Sequence, residues 1–166
     1  MPGRYTLREV GLICAALGLK LPSSIKEFSE LKLVPQFNIS PSQGVPIVRL
    51  NRRGERSIGL AKWGLIPHWA TSLPAKKPTI ARAETVVTNG LFRQAFERRR
   101  CLVPADGFYE WQGAKPPRQP FFIRLEDNGI FALAGICERW LPSPGTEPNE
   151  QRLRGHKMYH DAAPAT

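Results

Sequence analysis

The sequence predicts a single domain of mixed helix and strand, on three observations. A length of 166 residues fits one domain by the usual prior of about 100–200 residues per domain. Proline occurs 16 times, about twice average usage. Each proline removes a backbone donor and stops a helix, which disfavours an all-helical bundle or a long coiled coil. Short apolar segments bounded by Gly and Pro outnumber the helical patterns. With 42% apolar residues, there is material for one core.

The elements follow in order. Thr6 and Glu9 form T-x-x-E, a capping box at a helix start. Val10, Ile13, Cys14 and Leu17 then recur at i, i+3, i+4 and i+7, and Gly18 is a natural stop, so residues 7–17 are expected to be a helix with one buried stripe. Residues 34–46 carry Pro35, Pro41, Gly44 and Pro46 and read as a loop. Val45–Leu50 and Arg56–Trp63 read as strands joined by a turn at Asn51–Glu55. Ile66–Ile80, with prolines at 67, 74 and 78, is expected to be irregular. Ala83–Arg98 is helical in pattern and broken at Asn89–Gly90. Arg100–Val103, Gly107–Trp111, Phe121–Leu125 and Ile130–Glu138 are strand candidates, with Gly113–Pro120 as a turn. Residues 141–166 read as a divergent polar tail, partly disordered and without the alternation of a closing strand, leaving residues 1–140 as the domain.

The formal charge is +10, and it is unevenly spread. Residues 49–118 hold 14 Lys and Arg against 5 Asp and Glu, a balance of +9. Such a field attracts polyanions, nucleic acid first, although excess charge also serves solubility alone. Cys14, Cys101 and Cys137 are far apart, with no CxxC pair, which argues against a zinc knuckle or a disulfide framework. Cys14 and Cys137 lie in apolar runs and are expected to be buried. Arg4 and Arg8 before the apolar Gly11–Leu19 resemble a signal peptide, but Glu9 and the lack of a small-x-small site favour the cytoplasm, bacterial cytoplasm or nucleoid. No apolar run is long enough to span a bilayer.

Phosphate-loop, GxGxxG, HExxH and GxSxG motifs are missing, and His68, His156 and His160 make no metal spacing with the cysteines. No metal or cofactor is expected. The specific segments are others. They are Gly3-Arg4-Tyr5, Phe37 to Gln43 (FNISPSQ), Trp63 to Ala70 (WGLIPHWA), Ala81 to Thr85 (ARAET), Phe92-Arg93-x-Ala95-Phe96, and Arg99 to Trp111 (RRCLVPADGFYEW). In order and spacing they resemble the SRAP family of abasic-site processing proteins, over about residues 1–140.

The resemblance implies an α+β fold, one domain around a twisted, barrel-like antiparallel sheet with a few flanking helices. It implies binding of single-stranded DNA carrying abasic sites, by a monomer. In the family, Met1 is removed by self-processing, hence a peptidase label. The amine and thiol of a cysteine at position 2 then form a thiazolidine with the sugar aldehyde, assisted by an asparagine, a glutamate and a histidine. Here position 2 is Pro2, and Ile80 stands where the asparagine is expected. The glutamate matches Glu110, and the histidine is matched only remotely, by His160 in His160-Asp161-Ala162-Ala163-Pro164.

Pro2 has no thiol and cannot close a thiazolidine. Freed of Met1, it is a secondary amine able to form an iminium with an aldehyde, provided the amine is unprotonated. A Schiff-base or lyase-type step therefore stays open beside two alternatives: a catalytically degenerate single-stranded DNA-binding module, and a truncated product that folds poorly.

The expected DNA contacts carried by the resemblance are Arg4, Pro41, Trp69, Arg82 and Trp111. Arginine suits phosphate through its fork of donors. Arg82 has ion pairing with Glu84 or Glu110 as its alternative, and both tryptophans have core packing as theirs. Trp63, at a strand end, is expected in the core, and Cys101 is expected to be buried. Arg98, Arg99 and Arg100 are expected to form a solvated helix end.

Overall fold

The structure is a computed structural model that describes residues 3–19, 31, 33–113, 115–140 and the backbone of 159–162. Its order is β1 (Arg4–Leu7), a 3-10 turn (Val10–Leu12) running into α1 (Ile13–Ala16), β2 (Gln36–Ile39), β3 (Gly44–Leu50) and β4 (Arg56–Trp63). Next come α2 (Ala83–Val86), α3 (Arg93–Arg98), β5 (Arg100–Ala105), β6 (Gly107–Gln112), β7 (Gln119–Ile123), β8 (Phe131–Arg139) and β9 (Tyr159–Ala162). The strands build a four-stranded sheet in the order β2-β1-β6-β7 and a closed barrel in the order β3-β4-β9-β8-β5. This is the α+β, barrel-like architecture expected.

Alternation places the core. Along β4, Ala61 and Trp63 are buried, while Lys62 between them is half-buried. Tyr5, Leu7, Ile39, Val45, Ile47, Trp63, Val103 and Ala105 form one cluster linking the four-stranded sheet to the barrel. Leu65, Ala81, Val86, Phe92, Ala95 and Ile136 form a second cluster, where α2 and α3 cover β8. The break between the two helices falls where Asn89 and Gly90 predict it, with Asn89 Oδ1 accepting from the Leu91 amide at 2.9 Å.

Four expectations are corrected. The helix expected over 7–17 does not start at Thr6, which lies in β1. The Thr6 hydroxyl donates to Asp106, and so do the amides of Arg8 and Glu9, the very groups a cap would engage. A long-range carboxylate thus outcompetes the local box, although the stripe Val10, Ile13, Cys14 and Leu17 is buried and Gly18 ends it at φ 57. The loop expected over 34–46 contains β2, an edge strand with only Ile39 buried, which leaves no alternation to read. β7 starts at Gln119, inside the expected turn, because pairing with β6 sets it through Gln112↔Gln119 and Trp111↔Pro120. The tail was expected to supply no closing strand, yet β9 pairs parallel with β4 and antiparallel with β8, and so joins the barrel. Main-chain pairing requires no apolar alternation, so the side-chain pattern could not reveal it.

Candidate nucleic-acid site

β1 and β6 run antiparallel, with Arg4↔Tyr109, Tyr5↔Phe108 and Thr6↔Gly107. One residue beyond the first pair come Gly3, just ahead of β1, and Glu110 on β6. The chain's leading end is therefore directed along β6 toward Glu110 and Trp111. Pro2 itself lies outside the described residues. Arg4 is exposed, and its Nη1 donates to Asn38 Oδ1 of β2 at 3.0 Å.

Trp63 is the hub of the neighbouring wall. Its ring lies 5.6 Å from that of Tyr5, and its Nε1 donates to the Thr79 carbonyl at 2.8 Å. Trp63 is in the core, as expected, at 5% exposure. Ile80, next to Thr79, is half-buried and packs on the same cluster. Pro41 is exposed in a turn pinned to this strand end: the Ser42 amide donates to the Trp63 carbonyl at 2.8 Å, and the Trp63 amide to the Gln43 carbonyl at 2.9 Å. Ser42 adopts φ 72, and the Gln43 side chain accepts from the Ser40 amide at 2.6 Å. The turn at Pro41 and the Thr79–Ile80 segment thus meet at Trp63, which packs on Tyr5.

Trp69 and Arg82 belong to the segment between β4 and α2. Trp69 is 60% exposed, so core packing does not account for it. Its loop is held from below. The carboxylate of Glu138 on β8 accepts from the His68 amide at 3.4 Å and lies 2.9 Å from His68 Nδ1, and Trp140 Nε1 donates to the Ala70 carbonyl at 2.7 Å. Arg82 is exposed at the start of α2. Glu110 is half-buried, and Trp111 is 40% exposed, its ring 6.4 Å from that of Tyr109. The backbone of His160 stands opposite Lys62 on β4 and Glu138 on β8, at the Trp63 end of the barrel.

The model for the SOS response associated peptidase (SRAP) family matches residues 1–156. The chain belongs to this family. Among SRAP relatives, the abasic site processing protein YoaM of Bacillus subtilis (strain 168) is 35% identical over 142 residues, which are 78% of this chain and 60% of YoaM. YoqW of the same organism, also named an abasic site processing protein, is 36% identical over 70% of this chain and 57% of its own length. HMCES of Xenopus tropicalis is 30% identical over 70% of this chain and 43% of HMCES. The chain therefore spans less than two thirds of the length of these relatives. A crystal structure of a Bacteroides thetaiotaomicron protein shares the fold, with TM-score 0.74 and 24% identity over 96% of this chain and 66% of that one. A Bordetella bronchiseptica protein does so with TM-score 0.68 and 18% identity, over 96% of this chain and 70% of its own.

Two polar clusters in this SRAP chain escaped the sequence reading. Asp106 is fully buried and accepts from the Thr6 hydroxyl, the Arg8 and Glu9 amides and Arg8 Nε. Burial pushes its carboxyl upward, but these donors and the Arg8 charge outweigh burial and hold it below the usual carboxylate range. Glu138, 2% exposed, is paired with the guanidinium of Arg99, whose Nη2 donates at 2.9 Å. Arg99 is thus half-buried and paired, and Arg100 opens β5, so of the solvated helix end expected over Arg98, Arg99 and Arg100 only Arg98, exposed in the last turn of α3, fits. The signal for Glu138 was available: a carboxylate inside an apolar strand has to be paired.

Two lysines, Lys62 and Lys77, stand next to the Trp63–Gly64 strand end. Lys77 packs over Gly64, where a Cβ would meet its own Cβ at 3.2 Å. Burial, and then the charge of Lys62, lower the Lys77 pKa. All three cysteines are buried. Burial raises the Cys14 thiol. Among the described residues, no cluster of His, Cys, Asp and Glu fits a metal, and no helix is long and apolar enough to cross a membrane.

Proposed function

We propose that this chain binds single-stranded DNA at abasic sites and engages the sugar aldehyde through the amine of residue 2. The carrying observation is the antiparallel β1–β6 register, which directs the leading end toward Glu110 and Trp111. A carboxylate in a basic surround opposes DNA binding, so its place there asks for a reason, and proton handling supplies one. The names of the SRAP relatives supply the substrate class.

The chemistry follows from the residue present. Hydrolysis of the Met1–Pro2 bond frees a secondary amine. Its nitrogen lone pair attacks the open-chain aldehyde carbon, forming a C–N bond. The carbinol oxygen leaves as water after protonation, and an iminium remains. The iminium acidifies the adjacent C–H, whose proton passes to a base as the 3′ phosphate departs. Glu110 is the group assigned to accept that proton. Arg4 and Arg82 hold phosphates, while Pro41, Trp69 and Trp111 press on the flanking bases. His160 is assigned an assisting role from its register position alone.

Borohydride reduction tests this reading, once intact mass shows that Met1 is gone. A Pro2-dependent adduct with abasic single-stranded DNA is expected, and its absence would falsify the covalent step. A second reading has its own support. Ile80 is apolar and packed on the core at the position of the family's assisting asparagine, which favours a binding module that has lost the chemistry. In that case a preference for abasic over intact strands survives Pro2→Ala.

A further inference from the structure

One surface reaches beyond the contacts assigned above, which include only its Arg4 and Trp111. Arg4, Tyr109 and Phe122 stand in line across β1, β6 and β7. The next line, Tyr5, Phe108 and Ile123, points to the opposite face, where Tyr5 and Phe108 pack in the core. The first line therefore belongs to the outer face of the four-stranded sheet. Tyr109 lies 5.1 Å from Phe122 and 6.4 Å from Trp111, ring centroid to centroid. Trp111 and Phe122 are each 40% exposed. The Tyr109 hydroxyl donates to the Phe37 carbonyl of β2 at 3.3 Å, which carries the cluster to the far edge.

The Phe122 ring lies down on the sheet. A Cβ on Gly107 would fall 2.3 Å from Phe122 Cζ, so the ring occupies the space that this glycine leaves open. The Arg8 guanidinium sits 5.6 Å from the same ring. Exposed cations border the face: Arg4 within it, and Lys115 and Arg118 in the turn between β6 and β7. Asp106, the acid beneath, is fully buried and engaged. Flat rings with bordering cations fit bases joined by phosphates better than they fit an apolar partner.

We infer that this outer face carries the strand onward from Trp111, with further unpaired bases stacked on Tyr109 and Phe122. The inference rests on the single-stranded DNA reading and extends it along the outer face from Arg4 and Trp111 to Tyr109 and Phe122. The test is fluorescence anisotropy with an unmodified 21-mer of dT and with a 5-mer bearing a central abasic site. Wild type is compared with Phe122→Ala, Phe122→Leu and Phe122→Tyr at matched thermal stability. Stacking is worth about 1–3 kcal/mol per base, so Phe122→Ala and Phe122→Leu should weaken the 21-mer roughly 5-fold or more. Phe122→Tyr should bind as wild type, and the 5-mer should change less than about two-fold across the set. An unchanged 21-mer affinity overturns the inference. So does a dimer that dissociates in Phe122→Ala, since a second copy then covers the face. Should Phe122→Ala unfold, iodouracil-substituted 21-mer is photocrosslinked to wild type. Adducts within residues 107–123 support the face, and adducts confined elsewhere overturn it. Equal affinity for abasic and intact strands sinks the abasic reading alone, because the 21-mer carries no lesion.

Discussion

Asp106 offers the sharpest test of the packing between β1 and β6. Its Oδ1 receives the Thr6 hydroxyl and Arg8 Nε, and its Oδ2 receives the amides of Arg8 and Glu9. In Asp106→Asn the cheapest orientation keeps the amide oxygen on the two backbone N–H groups. It turns the NH2 toward Thr6, whose hydroxyl can donate instead to the Gly107 carbonyl, 3.3 Å away. The Arg8 pairing is lost and little else, and Arg8 is 29% exposed and can rehydrate. The cost is about 2–3 kcal/mol, the range for one charged hydrogen bond and a reversed neighbour. Asp106→Ala also strands two amides, which raises the cost to about 4–5 kcal/mol. In a chain of this size each kcal/mol moves Tm by about 2–4 °C, so falls of roughly 5–10 °C and 10–20 °C are expected in thermal denaturation at neutral pH.

The pH dependence has a fixed sign. A native pKa held below the unfolded value of about 3.9 contributes stability that is present above that value. It is lost as pH falls through the native pKa. The gap between wild type and Asp106→Asn should therefore shrink below about pH 4. A gap under about 2 °C at neutral pH, or one that stays constant into acid, refutes this account of how β1 is held.

Three further outcomes are expected. Glu138→Ala removes the partner of Arg99 and His68, which are 29% and 40% exposed and so partly rehydrate. A loss of about 2–3 kcal/mol is expected, with faster proteolysis near Trp69 at temperatures well below Tm. Gly18→Ala places a Cβ at φ 57 and 2.9 Å from Arg56 Nη1, itself bonded to the Leu17 carbonyl at 2.7 Å. A loss of about 1–2 kcal/mol in denaturant midpoint experiments follows from the left-handed backbone alone. Pro2→Cys with Ile80→Asn supplies a thiol beside the amine, and a heat-stable adduct with abasic DNA is expected on denaturing gels.

Legibility followed the range of the interaction. β3, β4 and their turn were readable because each lies within a run of apolar residues closed by Asn51 and Gly54. The boundary of α2 and α3 was readable from Asn89 and Gly90. The start of the first helix was not, since Asp106 is a hundred residues from Thr6. β2 and β9 were invisible for a related reason: each joins its sheet by main-chain pairing, which side-chain patterns do not report. Of the candidate site, residue types and order were legible in the SRAP-like segments. The meeting of the Pro41 turn and the Thr79–Ile80 segment at Trp63 was not, because it depends on the turn at Ser42 and on the long crossing from Gly64 to Thr79.

β6 is six residues long and speaks to two different audiences. Its odd-numbered rings look outward, while Phe108 and Glu110 look inward, so changes on one side need not disturb the other. A length change has no such freedom: inserting a single residue before Tyr109 would exchange the two sets and spoil both at once. Natural variation in this strand should therefore come as replacements, with its length unaltered.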